Sequence, residues 1–127
     1  MRPKELNTSA KRVEGLYQNA VILIPKQAFV DWVNILSDEE DLFTVNKMES
    51  SVYLLSNHRT EEEVGETLKL IYLKLFDIEL EAWINEEDNV LLPRDKTYKV
   101  FLEWFEVKIC MNVFQVVDDP QKQIVPM

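Results

Sequence analysis

The longest amphipathic pattern in the chain covers residues 60–84 and predicts its central helix. Thr60 followed by Glu63 has the spacing of a capping box, in which a hydroxyl and a carboxylate satisfy free N–H groups of the first helical turn. Apolar residues then recur at alternating intervals of four and three, which is typical of one buried helix face. That face carries Val64, Leu68, Ile71, Leu75, Ile78 and Ala82.

A second apolar set lies on roughly the opposite side of the same helix, from about residue 70 onward. Its members are Leu73, Phe76, Leu80, Trp83 and Ile84. A helix that is apolar on two sides is expected to lie between two neighbours. One neighbour is the core of this chain, and the other is a second copy or a partner protein.

Two short apolar runs predict β-strands. The β-branched run at 20–24 ends at Pro25 and is typical of a strand buried on both faces. A second run at 51–56 alternates less strictly but has the residue types of a strand. Between the two runs, one-sided spacing predicts an amphipathic helix with the apolar residues Phe29, Trp32, Val33 and Leu36.

Residues 96–116 allow two interpretations. Neither Gly nor Pro interrupts the segment, which favours one helix through Val116. The same segment also permits a third strand, because apolar and polar residues alternate in its second half. Those apolar residues are Val107, Ile109, Met111 and Val113. We favour the helix.

These elements predict an α+β fold, or a small α/β fold. Two or three short strands pack with three main helices, and the central (60–84) and last (96–116) helices form the core. If the two strands are parallel, their connection should be a right-handed crossover. We expect a mobile arm at 1–18 with a short helix near 9–16, a single globular domain at 19–117, and an irregular tail at 118–127.

Charge and cysteine content limit the possible partners and the cellular location. The formal net charge is −9, and the first eighteen residues carry +2, so the remainder carries −11. This balance argues against nucleic acid as a partner, since phosphate contacts require clustered Lys and Arg. No apolar run has the length of a membrane span, so no membrane partner is expected. A single cysteine, Cys110, forms no internal disulfide and favours a cytoplasmic location.

No stretch has the pattern of a catalytic, cofactor-binding or metal site. The two glycines, Gly15 and Gly65, are too few for a phosphate-binding loop. His58, the one histidine, precedes the central helix with Glu61 and Glu62 nearby, but a histidine in a polar turn is usually inert. Cys110 is typical of a small core residue. The alternative is a small enzyme with a carboxylate-lined pocket near His58.

Two tryptophans on the second sides of their helices, Trp83 and Trp104, suggest a protein interface. We therefore predict a non-enzymatic interaction or regulatory module. It acts as a homodimer or binds another protein, and no small-molecule ligand is identified. The predicted interface residues are Leu73, Phe76, Leu80, Trp83, Trp104, Met111 and Phe114.

Four segments resemble a family of small, acidic, uncharacterised bacterial proteins. They are FVDW at 29–32, VYLL at 52–55, LFDIELEAW at 75–83 and FLEWF at 101–105. The resemblance spans about residues 20–116 and implies a stand-alone bacterial cytoplasmic domain. It assigns no catalytic or ligand-binding residue.

Overall fold

The computed structural model describes residues 9–12, 19–36, 43–56, 58–84 and 92–117. These form an α+β fold, as predicted. The elements are β1 (Ser9–Arg12), β2 (Asn19–Pro25), α1 (Gln27–Leu36), β3 (Ser51–Leu55), α2 (Glu61–Glu81), α3 (Tyr98–Trp104), β4 (Phe105–Cys110) and β5 (Phe114–Val117). A short 3₁₀ turn, Val45–Lys47, precedes β3.

The main sheet has three antiparallel strands in the order β3-β2-β4. Val21 of the central strand lies opposite Tyr53 on one side and Ile109 on the other. Both edges of β2 are paired, and Pro25 lies at its end. The prediction that this strand is buried on both faces is wrong, because Ile22 and Ile24 are only half-buried, whereas Val21 and Leu23 on the other face are fully buried. Both predicted strands are confirmed, but they are antiparallel, so the right-handed crossover does not apply.

The central helix begins as its sequence predicts. The Thr60 hydroxyl accepts a hydrogen bond from the Glu63 N–H at 3.1 Å. The Glu63 carboxylate lies 3.5 Å from the Arg59 N–H, rather than reaching the N–H of Thr60 itself. Helical geometry ends at Glu81, and Ala82 and Trp83 form a turn.

The predicted helix over 96–116 is wrong beyond Trp104. Only Tyr98–Trp104 is helical, and the chain passes directly into β4 at Phe105, whose φ and ψ of −135° and 136° are those of a strand. The cause is long-range pairing, because β3 covers only one edge of β2 and the other edge needs a partner for its backbone N–H and C=O groups. The strand alternative for this segment is therefore the correct one.

The buried side of α2 contains residues from both of the apolar sets predicted for this helix. Phe76 and Leu80, from the second set, are as fully buried as Val64 and Leu68 from the first. Residues at the outer margins of the two sets, Leu73 and Ile78, are exposed. One broad apolar side therefore packs on the sheet and α3. The rings of Phe29, Phe76, Phe101, Trp104 and Phe105 form its aromatic centre.

A buried amide joins the strand ends. The Asn19 side chain is 1% exposed, accepts a hydrogen bond from the His58 N–H at 2.5 Å, and donates one to the Met111 carbonyl at 3.0 Å. These hydrogen bonds connect the first residue of β2 to the loop between β3 and α2 and to the residue that follows β4. Asn19 therefore fixes the end of the sheet from which both loops leave.

A separate two-stranded ribbon pairs β1 with β5, from Ser9 opposite Val117 to Arg12 opposite Phe114. The helix predicted near 9–16 is therefore wrong for Ser9–Arg12, and the predicted mobile arm contains a strand there. The rest of the arm and the predicted tail at 118–127 lie outside the described residues.

Candidate functional site

A groove of about 610 Å³ lies between the segment that leads into β3 and the C-terminal end of α2. Backbone connections explain its position, because α2 crosses the core side of the sheet and ends beside the edge strand β3. The lining residues are Phe29, Phe43, Lys47, Met48, Glu49, Ser50, Ser51, Val52, Tyr53, Ile78, Glu79, Ala82 and Trp83.

One wall of the groove is aromatic. Phe43 and Trp83 meet edge to face, with ring centroids 5.2 Å apart and an interplanar angle of 78°. The backbone of Phe43 is held by Asn34 of α1, whose amide accepts from the Phe43 N–H at 2.9 Å and donates to the Phe43 carbonyl at 3.0 Å. These two hydrogen bonds hold the Phe43 backbone against α1, so the Phe43 ring is positioned before any ligand binds.

A tyrosine–carboxylate pair also lines the groove. The Tyr53 hydroxyl donates a short hydrogen bond to Oε2 of Glu79. Burial, and then the hydrogen bond and negative charge of Glu79, raise the pKa of Tyr53 well above its ordinary value, while a hydrogen bond with Ser51 acts in the opposite direction. Tyr53 therefore keeps its proton and donates a hydrogen bond to Glu79 throughout the physiological pH range.

The raised Tyr53 pKa predicts a late tyrosine titration. The unfolded chain loses this proton near pH 10 while the folded chain retains it, so stability should fall as pH rises above about 10. Absorbance at the tyrosinate band should show one phenol that ionises later than the others, and Tyr53→Phe should remove that late step. If Tyr72→Phe removes it instead, the assignment to Tyr53 is wrong.

The groove lies at the negative end of a helix dipole. The last turn of α2 contains no basic residue, although cations are favoured at helix C-termini. Glu79 and Glu81 add two carboxylates in that turn. Lys47 is the one basic residue in the groove lining, and it forms no ion pair within the described part of the chain. The last turn therefore has no base of its own, while Lys96 pairs at 2.6 Å with Asp77 of the preceding turn.

The sheet side away from the helices, which we call the open face, is a second candidate. Its apolar half contains Ile22 and Ile24 of β2 with Val52 and Leu54 of β3, and Val52 lies directly opposite Ile22. Val52 is 60% exposed and Leu54 is 46% exposed. An antiparallel sheet with one solvated face normally carries polar residues there. In β4, the open face carries the charged residues Glu106 and Lys108.

The predicted interface residues do not form one surface. Phe76 and Leu80 lie in the core, so their assignment to an interface is wrong. Trp104 and Met111 are half-buried against the core, and Trp83 lines the groove. Leu73 and Phe114 remain exposed, on α2 and β5 respectively. The apolar residues on the second side of each predicted helix are therefore a mixture of core residues and surface residues.

Sequence reasoning missed most of the groove and the open face. One sequence signal could have indicated the groove. The last turn of the central helix contains two carboxylates, Glu79 and Glu81, and no basic residue. The open face had no comparable signal, because β3 is apolar at positions on both of its sides. Which side faces the helices follows only from pairing with β2.

His58 lies outside the groove. Its Nε2 is 2.8 Å from the Thr67 hydroxyl, and its Nδ1 is buried without a hydrogen-bond partner among the described residues. Glu61 and Glu62, the carboxylates predicted as its partners, do not bond to it. Cys110 is half-buried opposite Ala20, with its thiol 3.1 Å from the Asn112 carbonyl.

The described part of the chain contains no group of three or more potential ligands arranged to hold a metal ion. None of its helices combines the length and apolar character that crossing a membrane requires. No protein family, curated protein or solved structure matches the chain.

Proposed function

We propose that this chain is a non-enzymatic protein-interaction or regulatory module that acts as a homodimer through its open face. The observation that carries the proposal is the exposure of Val52 and Leu54 on a sheet side where polar residues are expected. Contiguous apolar surface of this kind marks interaction sites in soluble proteins.

The charge of the open face supports a second copy as the partner. Glu106 and Lys108 give its described residues equal numbers of acids and bases, although the whole chain has a net charge of −9. Two copies can therefore meet here without the repulsion expected elsewhere on the surface. A twofold contact also lets Glu106 of each copy lie near Lys108 of the other, which is the self-complementarity such symmetry requires.

The alternative, a small enzyme with a carboxylate-lined pocket near His58, has weaker support. The groove carboxylates belong to Glu49 and Glu79, and His58 is not among the lining residues. His58 instead bonds to Thr67, which is not a group that orients or activates an imidazole base as a carboxylate does.

We also propose a bacterial origin and a cytoplasmic location, with no nucleic-acid partner. The single cysteine supports a reducing compartment, and the acidic charge opposes phosphate binding. Membership of the family of small acidic bacterial proteins stays a prediction based on the four resembling segments.

Sedimentation equilibrium tests the homodimer directly. At micromolar concentration, the wild-type chain should have about twice the 15.0 kDa mass of one chain in both low and high salt, since apolar burial holds the contact. Val52→Lys should produce the monomer, because it buries a charge in the apolar half of the contact. Leu70→Lys, at an exposed apolar site on α2, is the matched control and should stay dimeric. A wild-type monomer in both salts would exclude the dimer.

A further inference from the structure

We propose that the groove beside Trp83 binds a small organic cation, in which an ammonium group is joined to an apolar or aromatic body. This inference does not depend on the proposed dimer. The groove lies between α2 and the segment before β3, whereas the dimer contact uses the open face. Val52, at the edge of both, is the one open-face residue among the groove lining, so the variants that test the groove are made at other positions.

The charge of the helix end favours a cation. The C-terminus of a 21-residue helix carries partial negative charge, and Glu79 adds a full charge within the groove. Glu49 lines the same groove. Carboxylates at a helix C-terminus normally destabilise the helix, so an arrangement without a base is one that a bound cation would stabilise.

The Tyr53–Glu79 pair provides a specific anchor. Tyr53 donates to Oε2 of Glu79, and a carboxylate has further lone pairs that can accept from an ammonium N–H. Hydrogen bonds between ionised partners are stronger than those between neutral groups. The Tyr53 phenol is neutral at physiological pH and adds no competing negative charge. Glu79 therefore presents one negative charge in a fixed orientation.

The aromatic wall fits the rest of such a ligand. Trp83 and Phe43 meet edge to face, and Met48 is also in the lining, so flat or flexible apolar groups can pack there. Aromatic faces also attract cations directly. The volume of about 610 Å³ is within the range of small-molecule sites.

Lys47 opposes cation binding only weakly. It belongs to the exposed 3₁₀ turn, and its long flexible stem lets the ammonium group remain in water. Glu49, two residues further on, restores the negative balance of the lining. The lining as a whole therefore has one more acid than bases.

Calorimetric titration of the full chain with three probes of similar shape tests the charge requirement. The probes are phenethylamine, 2-phenylethanol and 3-phenylpropanoate, which carry a positive, neutral and negative head on the same ring. Phenethylamine should bind, and the alcohol should bind about tenfold more weakly or worse, because it lacks the charge-assisted bond. The carboxylate should show no binding. Comparable binding of amine and alcohol would contradict the proposal.

Matched variants locate the site. Glu79→Gln keeps a hydrogen-bond acceptor for Tyr53 and should weaken phenethylamine binding by about tenfold. Glu81→Gln removes the same charge from the same helical turn, but Glu81 does not line the groove, so binding should change by less than about twofold. Equal effects of the two changes would mean that general charge, rather than the groove, attracts the probe.

Three further results would overturn the proposal. If Glu79→Gln does not fold, Glu49→Gln at an exposed groove position provides the test, and unchanged binding there would count against the site. No heat from phenethylamine at about 10 mM with the folded wild type would also exclude it, given the affinity expected for so small a ligand. Much tighter binding of a lysine-containing peptide than of the amine would assign the groove to a protein partner instead.

Discussion

Phe76→Ala is expected to lower the free energy of unfolding by about 4 kcal/mol, the largest effect of any single change considered for this protein. The Phe76 side chain is 0% exposed. Its ring lies 5.6 Å from that of Phe101, 5.5 Å from Trp104 and 5.9 Å from Phe105, measured between centroids. Truncation removes the buried ring and leaves a cavity, because the neighbouring rings are held by α3 and β4 and cannot collapse into it.

The matched control is Leu73→Ala, three residues earlier on the same helix. Leu73 is 44% exposed, so its truncation should cost less than about 1 kcal/mol. Both residues belong to the apolar side that the sequence pattern assigned to an interface. The comparison therefore asks whether Phe76 stabilises the single chain or an association between chains.

Urea unfolding followed by circular dichroism measures both changes, with the slope against urea used to check that the unfolded states are comparable. The chain concentration must be the same for every variant, because dimerisation adds to apparent stability. A loss of 4 kcal/mol is a large fraction of the roughly 5–15 kcal/mol typical of a domain. Equal losses for the two variants would contradict the core position of Phe76.

Asn19→Ala is expected to cost about 3 kcal/mol, the second largest effect. The change removes hydrogen bonds to the His58 N–H and to the Met111 carbonyl at a position that is 1% exposed. Buried polar groups that lose a partner retain the full cost of their desolvation. Both loops that leave this end of the sheet are affected by a single substitution.

Asn34→Ala is the matched comparison for Asn19→Ala. Asn34 also uses its amide to bond a backbone N–H and a backbone carbonyl, both belonging to Phe43, but it is only half-buried. Water can replace those bonds, so the cost should be about 1 kcal/mol. The same urea titration measures both. Losses of equal size would mean that burial of the Asn19 amide contributes nothing beyond its hydrogen bonds.

The groove was only partly accessible from the sequence. Trp83 was singled out as a large apolar residue on the second side of its helix, and Glu79 lies one turn before it. Phe43 and Tyr53 join them from segments far along the chain, since Tyr53 and Glu79 are 26 residues apart. Such a combination depends on how the elements pack, which no local pattern encodes.

Local signals determined three elements of this protein. Thr60 and Glu63 defined where the central helix begins, because capping is an interaction among neighbouring residues. The β-branched run at 20–24 defined the central strand, and the one-sided spacing after Pro25 defined α1. In each case, one local conformation satisfies both the backbone hydrogen bonds and the apolar pattern.

Tertiary structure alone decided the secondary structure of residues 105–117. Their sequence satisfies a helical and a strand pattern equally, and no Gly or Pro separates them from α3. The strand forms because β2 has a second edge, where Leu23 pairs with Val107 and Val21 with Ile109. That pairing satisfies buried backbone groups of both strands, an energy that a local pattern does not contain. The pairing of β2 with β3, in which Val52 lies opposite Ile22 and Leu54 opposite Ala20, turns Val52 and Leu54 away from the helices and so creates the open face.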